Sequence, residues 1–171
     1  MWLYFVFAAL IVVIDQLFKL WTAATIAPGT AIPLIPYIIR LTYTENTGAA
    51  FSILADKRWL LVGVSSVAAV AISVVIARKR PLSDFVSARY ERIARFCTAA
   101  ILGGAVGNLI DRIKTGAVID MFEAEFINFA IFNIADIFIT LGCLTLIVLV
   151  IKQEIDDRKA KKAGLANEAN D

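Results

Sequence analysis

Four blocks of this chain are too long and too apolar to be covered by anything but lipid. A helix that crosses a hydrocarbon core of ~30 Å needs about 20 mostly apolar residues. Met1 to about Leu20 is uncharged until Asp15, and Trp59 to Ala77 carries no charge at all. The stretch from about Ile93 to Arg112 holds an uncharged run from Phe96 to Ile110, and about Ile134 to Ile151 is charged only at Asp136. Composition agrees: 60% of the 171 residues are hydrophobic, against ~45–50% in soluble domains, and the mean hydropathy is +0.77. The expectation is an all-α membrane protein with four transmembrane helices. They form a single domain over residues 1–152, followed by a charged tail over 153–171. The first block lacks a basic start and a small-x-small cleavage site, so it reads as a retained helix and not as a signal peptide.

Lys and Arg in short loops set the direction of insertion. The connection between the second and third spans carries Arg78, Lys79, Arg80, Arg89 and Arg92, and the tail carries Lys152, Arg158, Lys159, Lys161 and Lys162. The other two connections are poorer, with Arg40, Lys57 and Arg58 in one and Lys114 in the other. Both termini are therefore expected on the cytoplasmic side, with residues 21–58 and 113–133 facing outward.

The first outer segment is β-rich over about residues 33–55. Leu34 to Thr44 suits one extended strand, Asn46-Thr47-Gly48 signals a turn, and Ala50 to Leu54 is a candidate returning strand. Met121 to Phe132 is amphipathic and suits a short interfacial helix.

Charge inside a bilayer is costly, ~2.5–3.5 kcal/mol or more at mid-depth, so each charged group needs a partner or a task. Direction places Asp15 and Lys19 at the outer end of the first span. Asn108, Asp111 and Arg112 fall at the outer end of the third, and Asn133 and Asp136 at the outer start of the fourth, with Asp120 just outside. All of them converge near one membrane face. Asp15 and Lys19 are spaced to pair along one helix face. Gly104, Asn108 and Arg112 share a stripe, and Gly103, Gly104 and Gly107 permit close helix approach. Asp111 has Arg112 beside it as a counter-charge.

The absence of histidine excludes Ser-His-Asp and Cys-His catalysis and His-ligated zinc. Cys97 and Cys143 lie in apolar runs and suggest neither a disulfide nor a metal site. Acid–base chemistry then falls to carboxylates, lysines or tyrosines. Asp120 and Asp136 are the leading pair, because two carboxylates in a low-dielectric site share a proton and can serve as base and acid on one water. Spacing alone leaves Asp111 or Asp15 able to replace either member.

Five ordered blocks sharpen this. Asp15-Gln16-Leu17-Phe18-Lys19, Asn46 to Phe51, Gly103 to Arg112, Val118-Ile119-Asp120 and Phe132 to Asp136 resemble the motifs of lipoprotein signal peptidase, or signal peptidase II, a four-span intramembrane aspartyl protease family. The resemblance implies Asp120 and Asp136 as a catalytic dyad, with Asp15, Lys19, Asn46, Gly104, Asn108, Arg112, Asn133 and Ala135 binding substrate or supporting the site. It implies cleavage immediately before a diacylglyceryl-modified cysteine of a prolipoprotein, in the bacterial inner membrane, with no metal and no organic cofactor. The expected partners are that substrate and membrane lipid, not nucleic acid, and the expected state is a monomer. Where the family motif has Phe after the first aspartate, Met121 stands here, which touches local packing. The rival reading is a transporter or proton-conducting subunit. Those place ionisable groups near the midplane and often show internal repeats, and neither feature is found here.

Overall fold

The computed structural model describes residues 1–49, 53–78 and 86–168. Its elements run α1 (Trp2–Thr25), β1 (Ala31–Ile35), β2 (Ile39–Asn46), α2 (Arg58–Ala77), α3 (Glu91–Lys114), β3 (Val118–Ala124) and α4 (Ile134–Glu168). All four helices are long and apolar enough to span a membrane, and α1 and α3 extend a few residues beyond the expected limits. The fourth continues past Ile151 as a helical extension through the charged tail.

The third helix is the hub. Half of its apolar window is buried, against 11–22% of the other three, whose remaining faces are left to lipid. In lipid there is no hydrophobic drive between helices, so close packing of small residues decides the arrangement. A Cβ on Gly103 would lie 2.7 Å from the Ala8 carbonyl oxygen on α1, and one on Gly104 would lie 2.5 Å from that of Ala135 on α4. Adjacent glycines thus admit a different neighbour on each side. On α4, Gly142 does the same, since a Cβ there would sit 2.9 Å from the carbonyl oxygen of Cys97. Cys97 and Cys143 are free thiols.

Outside the bundle lies a three-stranded antiparallel sheet in the order β1-β2-β3. It corrects three expectations. Leu34 to Thr44 is not one strand: the chain reverses after Ile35, with Tyr37 at φ +63°, to form a β1–β2 hairpin. The expected returning strand falls partly on residues 50–52, outside the described residues, and Leu54 adopts a turn conformation with φ +60°. The strand that pairs with β2 comes from the second outer segment instead, so Met121 to Phe132 is not a helix. An unpaired edge of β2 would leave a row of open backbone groups, and Val118-Ile119 is β-favouring. The amphipathic pattern that suggested a helix serves a doubled-back loop. Phe132 bridges Phe122, and their rings stack at 5.6 Å.

Met121 is fully buried beneath this sheet with Ile26 and Leu41. Its flexible thioether fills the gap between the sheet and the end of α1. Arg40 and Glu123, paired in register across β2 and β3, form a two-pronged ion pair at 2.7 Å for each contact. That bond holds Glu123 below the usual carboxylate range.

Candidate active site

The fourth helix begins with a reciprocal cap. The Asn133 side-chain oxygen accepts from the Asp136 backbone N–H at 2.9 Å, and Asp136 Oδ2 accepts from the Asn133 backbone N–H at 3.2 Å. This is a capping box in Asn/Asp form, and it satisfies two donors that a helix start leaves open. The N–H of Ala135 goes to another element: it donates to Asp15 Oδ1 on α1 at 3.0 Å. Local capping thus fixes Asp136 on the first turn of α4, and tertiary packing brings the Asp15 carboxylate against the positive end of the same helix.

Asp120 arrives from β3, opposite Thr44 on β2. Its Oδ1 accepts from Asn133 Nδ2 at 2.6 Å, and its Oδ2 accepts from Asn46 Nδ2 at 3.1 Å. Asn46 is oriented in turn by the Gly48 N–H, which donates to its side-chain oxygen at 2.9 Å and closes a turn over the strand end. One asparagine, Asn133, therefore bonds both candidate acids. A second, Asn108, donates to Asp136 Oδ1 at 2.8 Å while its own oxygen accepts from Asn133 Nδ2 at 3.1 Å.

Lys19 fixes which way Asn108 points. Its ammonium has donors only, and it donates to Asn108 Oδ1 at 2.8 Å. The amide nitrogen must then face Asp136. The other Lys19 contacts are Asp15 at 2.8 Å and Asp111 at 2.7 Å, all within a site where Lys19 is 2% exposed. Asp111 therefore pairs with Lys19 and not, as expected, with Arg112. Successive helix residues point about 100° apart and do not face each other. Arg112 turns the other way and donates to the Gly48 carbonyl at 2.8 Å.

Two contributors escaped the sequence reading. Gln16 donates to Asp111 Oδ1 at 2.8 Å and to the Gly107 carbonyl at 3.3 Å. The signal was available, since Gly107, Asn108 and Asp111 share one face of α3 by their spacing. Arg58 caps α3 from outside, donating to the carbonyls of Arg112 and Ile113 at 2.8 and 2.6 Å. Nothing in the sequence distinguishes it from any other loop cation.

Asp120 and Asp136 both open onto a cavity of about 460 Å³, walled on its polar side by Asn46, Asn108 and Arg112 and on its apolar side by residues 129–132 and the next turn of α4. Burial first, and the charge of Asp136 second, push the Asp120 carboxyl up to about 6, although Asn46 and Asn133 pull it down. Two carboxyls facing one cavity are an arrangement that can activate water without a covalent intermediate. Among the described residues no group of three or more His, Cys, Asp or Glu side chains could hold a metal ion.

Residues 7–152 match the family model described as Signal peptidase (SPase) II. The chain belongs to the signal peptidase II family. It is 38% identical over 154 residues to the lipoprotein signal peptidase of Latilactobacillus sakei subsp. sakei (strain 23K), covering 90% of this chain and 97% of that one. It is 39% identical over 145 residues to that of Streptococcus pyogenes serotype M5 (strain Manfredo), covering 85% and 90%. A bacterial membrane enzyme solved by the in meso method superposes with a TM-score of 0.76 at 26% identity over 92% of each chain. A second one gives 0.74 at 28% identity over 88% of this chain and 93% of that one. As a member of this family the chain is a multi-pass bacterial membrane protein and a protease, aspartic in type by that membership.

Proposed function

We propose that the chain removes signal peptides from diacylglyceryl-modified prolipoproteins, cutting immediately before the lipidated cysteine, with Asp120 and Asp136 as the catalytic dyad. The observation that carries this is the pair of hydrogen bonds made by Asn133, whose side-chain amide donates to Asp120 while its backbone N–H donates to Asp136. Asp136 accepts a second N–H from Asn108 and lies at a helix N-terminus, where negative charge is favoured, so it is the charged member and the general base. Asp120, raised to about 6, is the member that holds a proton.

In the reaction, Asp136 takes a proton from water, whose oxygen attacks the scissile carbonyl carbon, and Asp120 gives its proton to the carbonyl oxygen. Collapse of the tetrahedral diol breaks the C–N bond, with the proton held by Asp136 passing to the leaving amine and Asp120 recovering one from the diol hydroxyl. Asn108 and Asn133 keep the two carboxyls in register, and Lys19 with Asp15 and Asp111 keeps Asn108 in its working orientation. Asn46 tunes Asp120, Gly104 and Ala135 hold α3 against α4, and Arg112 borders the cavity where the substrate backbone lies.

The expected orientation puts both termini on the cytoplasmic side and the sheet on the outer surface, over a single catalytic domain of residues 1–152. The basic residues of the tail and of the α2–α3 connection support it. A dyad at that depth meets the cut bond beside the membrane-anchored cysteine, where water is at hand.

The test uses purified protein and one lipidated prolipoprotein. Asp120→Asn and Asp136→Asn should each insert and fold yet leave the substrate uncut, a loss of at least about 10³-fold on the scale of a missing acid–base group. Full turnover by either variant would refute the dyad. A strong chelator should leave the wild-type rate unchanged, and loss restored by a metal would overturn the mechanism.

A further inference from the structure

Thr140 stands one turn beyond Asp136 on α4, in the wall of the same cavity, and is exposed to it. The cavity wall around it is otherwise apolar, formed by Ile137, Ile139 and Leu141 on the helix and by Phe129 and Phe132 opposite. A helical threonine has a ready partner in the carbonyl four residues back. Thr98 takes it on α3, donating to Ala94 at 2.8 Å, and Thr115 takes it at the end of α3, donating to Asp111 at 3.0 Å. Among the described residues, the Thr140 hydroxyl makes no hydrogen bond to the protein. Its hydroxyl is a polar group at a membrane span, open to the site and unsatisfied, where an unmade hydrogen bond is costly.

We infer that Thr140 is a substrate-binding residue whose hydroxyl donates to a main-chain carbonyl of the signal peptide two or three residues upstream of the cut. This rests on Asp136 being a catalytic carboxylate. For the scissile bond to reach the dyad, the end of the signal helix must be drawn out of helical form, which frees backbone carbonyls one helical turn deeper than the dyad, where water is scarcer. Four residues along α4 span about 6 Å, which is about two residues of extended chain. The signal peptide continues into the bilayer from the cut, as α4 does from Asp136, so the upstream residues pass Thr140 and the lipidated cysteine does not.

The test compares wild-type protein, Thr140→Val and Thr140→Ser on a diacylglyceryl-cysteine peptide. The same peptide is also made with a backbone ester in place of the amide following the second or the third residue upstream of the cut, which leaves the scissile amide intact and weakens that residue's carbonyl as an acceptor. Thr140→Val should lower kcat/KM by about three- to tenfold, the worth of one hydrogen bond, through KM, with the limbs of the pH profile unmoved. Thr140→Ser should retain most of the wild-type value. One of the two esters should cost the wild type a similar factor and cost Thr140→Val little more, because both changes remove the same bond. Equal KM in wild type and Thr140→Val, or losses that multiply for both esters, would overturn the inference. Asp136→Asn on the same peptide keeps the two readings apart: full turnover there sinks the dyad, whatever Thr140 does.

Discussion

The carboxylate of Asp15, on the first helix, accepts the backbone N–H of Ala135, on the fourth, at 3.0 Å. The same side chain binds Lys19 at 2.8 Å through its other oxygen. One residue thus joins the cap of the helix that carries Asp136 to the cation that orients Asn108.

Asp15→Ala removes both links and leaves Lys19, a buried cation, with a single carboxylate partner. Breaking a buried ion pair from one side costs about 3–5 kcal/mol, so a large fall in the unfolding midpoint in detergent is expected, together with loss of activity. Asp15→Asn can still accept from Ala135 and should fall less. Equal midpoints for wild type and Asp15→Ala would dismiss the link.

Gly104→Ala tests how tightly α3 and α4 must pack. The added Cβ would lie 2.5 Å from the Ala135 carbonyl oxygen and 2.7 Å from Ile139 Cγ1. Backbone cannot yield there without moving the start of α4, and a displacement of ~1 Å at a reacting group can cost ~10²-fold in rate. Gly63→Ala on α2 meets nothing within 4 Å and serves as the control, with stability equal to or slightly above wild type. A fully active Gly104→Ala would mean that the dyad does not depend on this contact.

Under the proposed mechanism the pH profile reports the proton on Asp120. With its carboxyl raised to about 6, the protonated form is lost as pH rises, and kcat/KM should fall along an alkaline limb near that value. The Asn46 hydrogen bond pulls the carboxyl down, so Asn46→Ala should move the limb to higher pH. Stability follows the same proton. The folded chain keeps it from the ordinary value of 3.8 up to about 6 while the unfolded chain releases it, so Asp120's contribution weakens as pH rises through that window. A limb that stays in place in Asn46→Ala would remove Asp120 from the acid role.

Orientation is tested by labelling. With Cys97 and Cys143 replaced by alanine, a cysteine at Thr30 should react with an impermeant thiol reagent added outside intact cells. One at Arg158, on the exposed part of the helical tail, should react only after permeabilisation. The reverse pattern would invert the topology.

By itself the sequence determined that this chain lives in a bilayer, that it crosses four times, and that its acids, amides and cations gather near one end of the bundle. Those conclusions need only hydropathy, the cost of charge in lipid and a count of basic residues, all of which act through local composition. The two aspartates were legible as candidates, and the motifs around them carried the resemblance to signal peptidase II. Only the tertiary structure decided who touches whom. Asp111 found Lys19 on another helix because Arg112, its neighbour in sequence, points elsewhere. The partner of β2 came from a segment more than 70 residues away whose second half, from Met121, carries a helix-like amphipathic pattern. Asn133 became the bridge between Asp120 and Asp136 because a cap at the start of α4 happens to face a strand. Hydrogen bonds and sheet pairing are directional and non-local, so local pattern fixes which groups need partners, and only the packed chain fixes which partners they get.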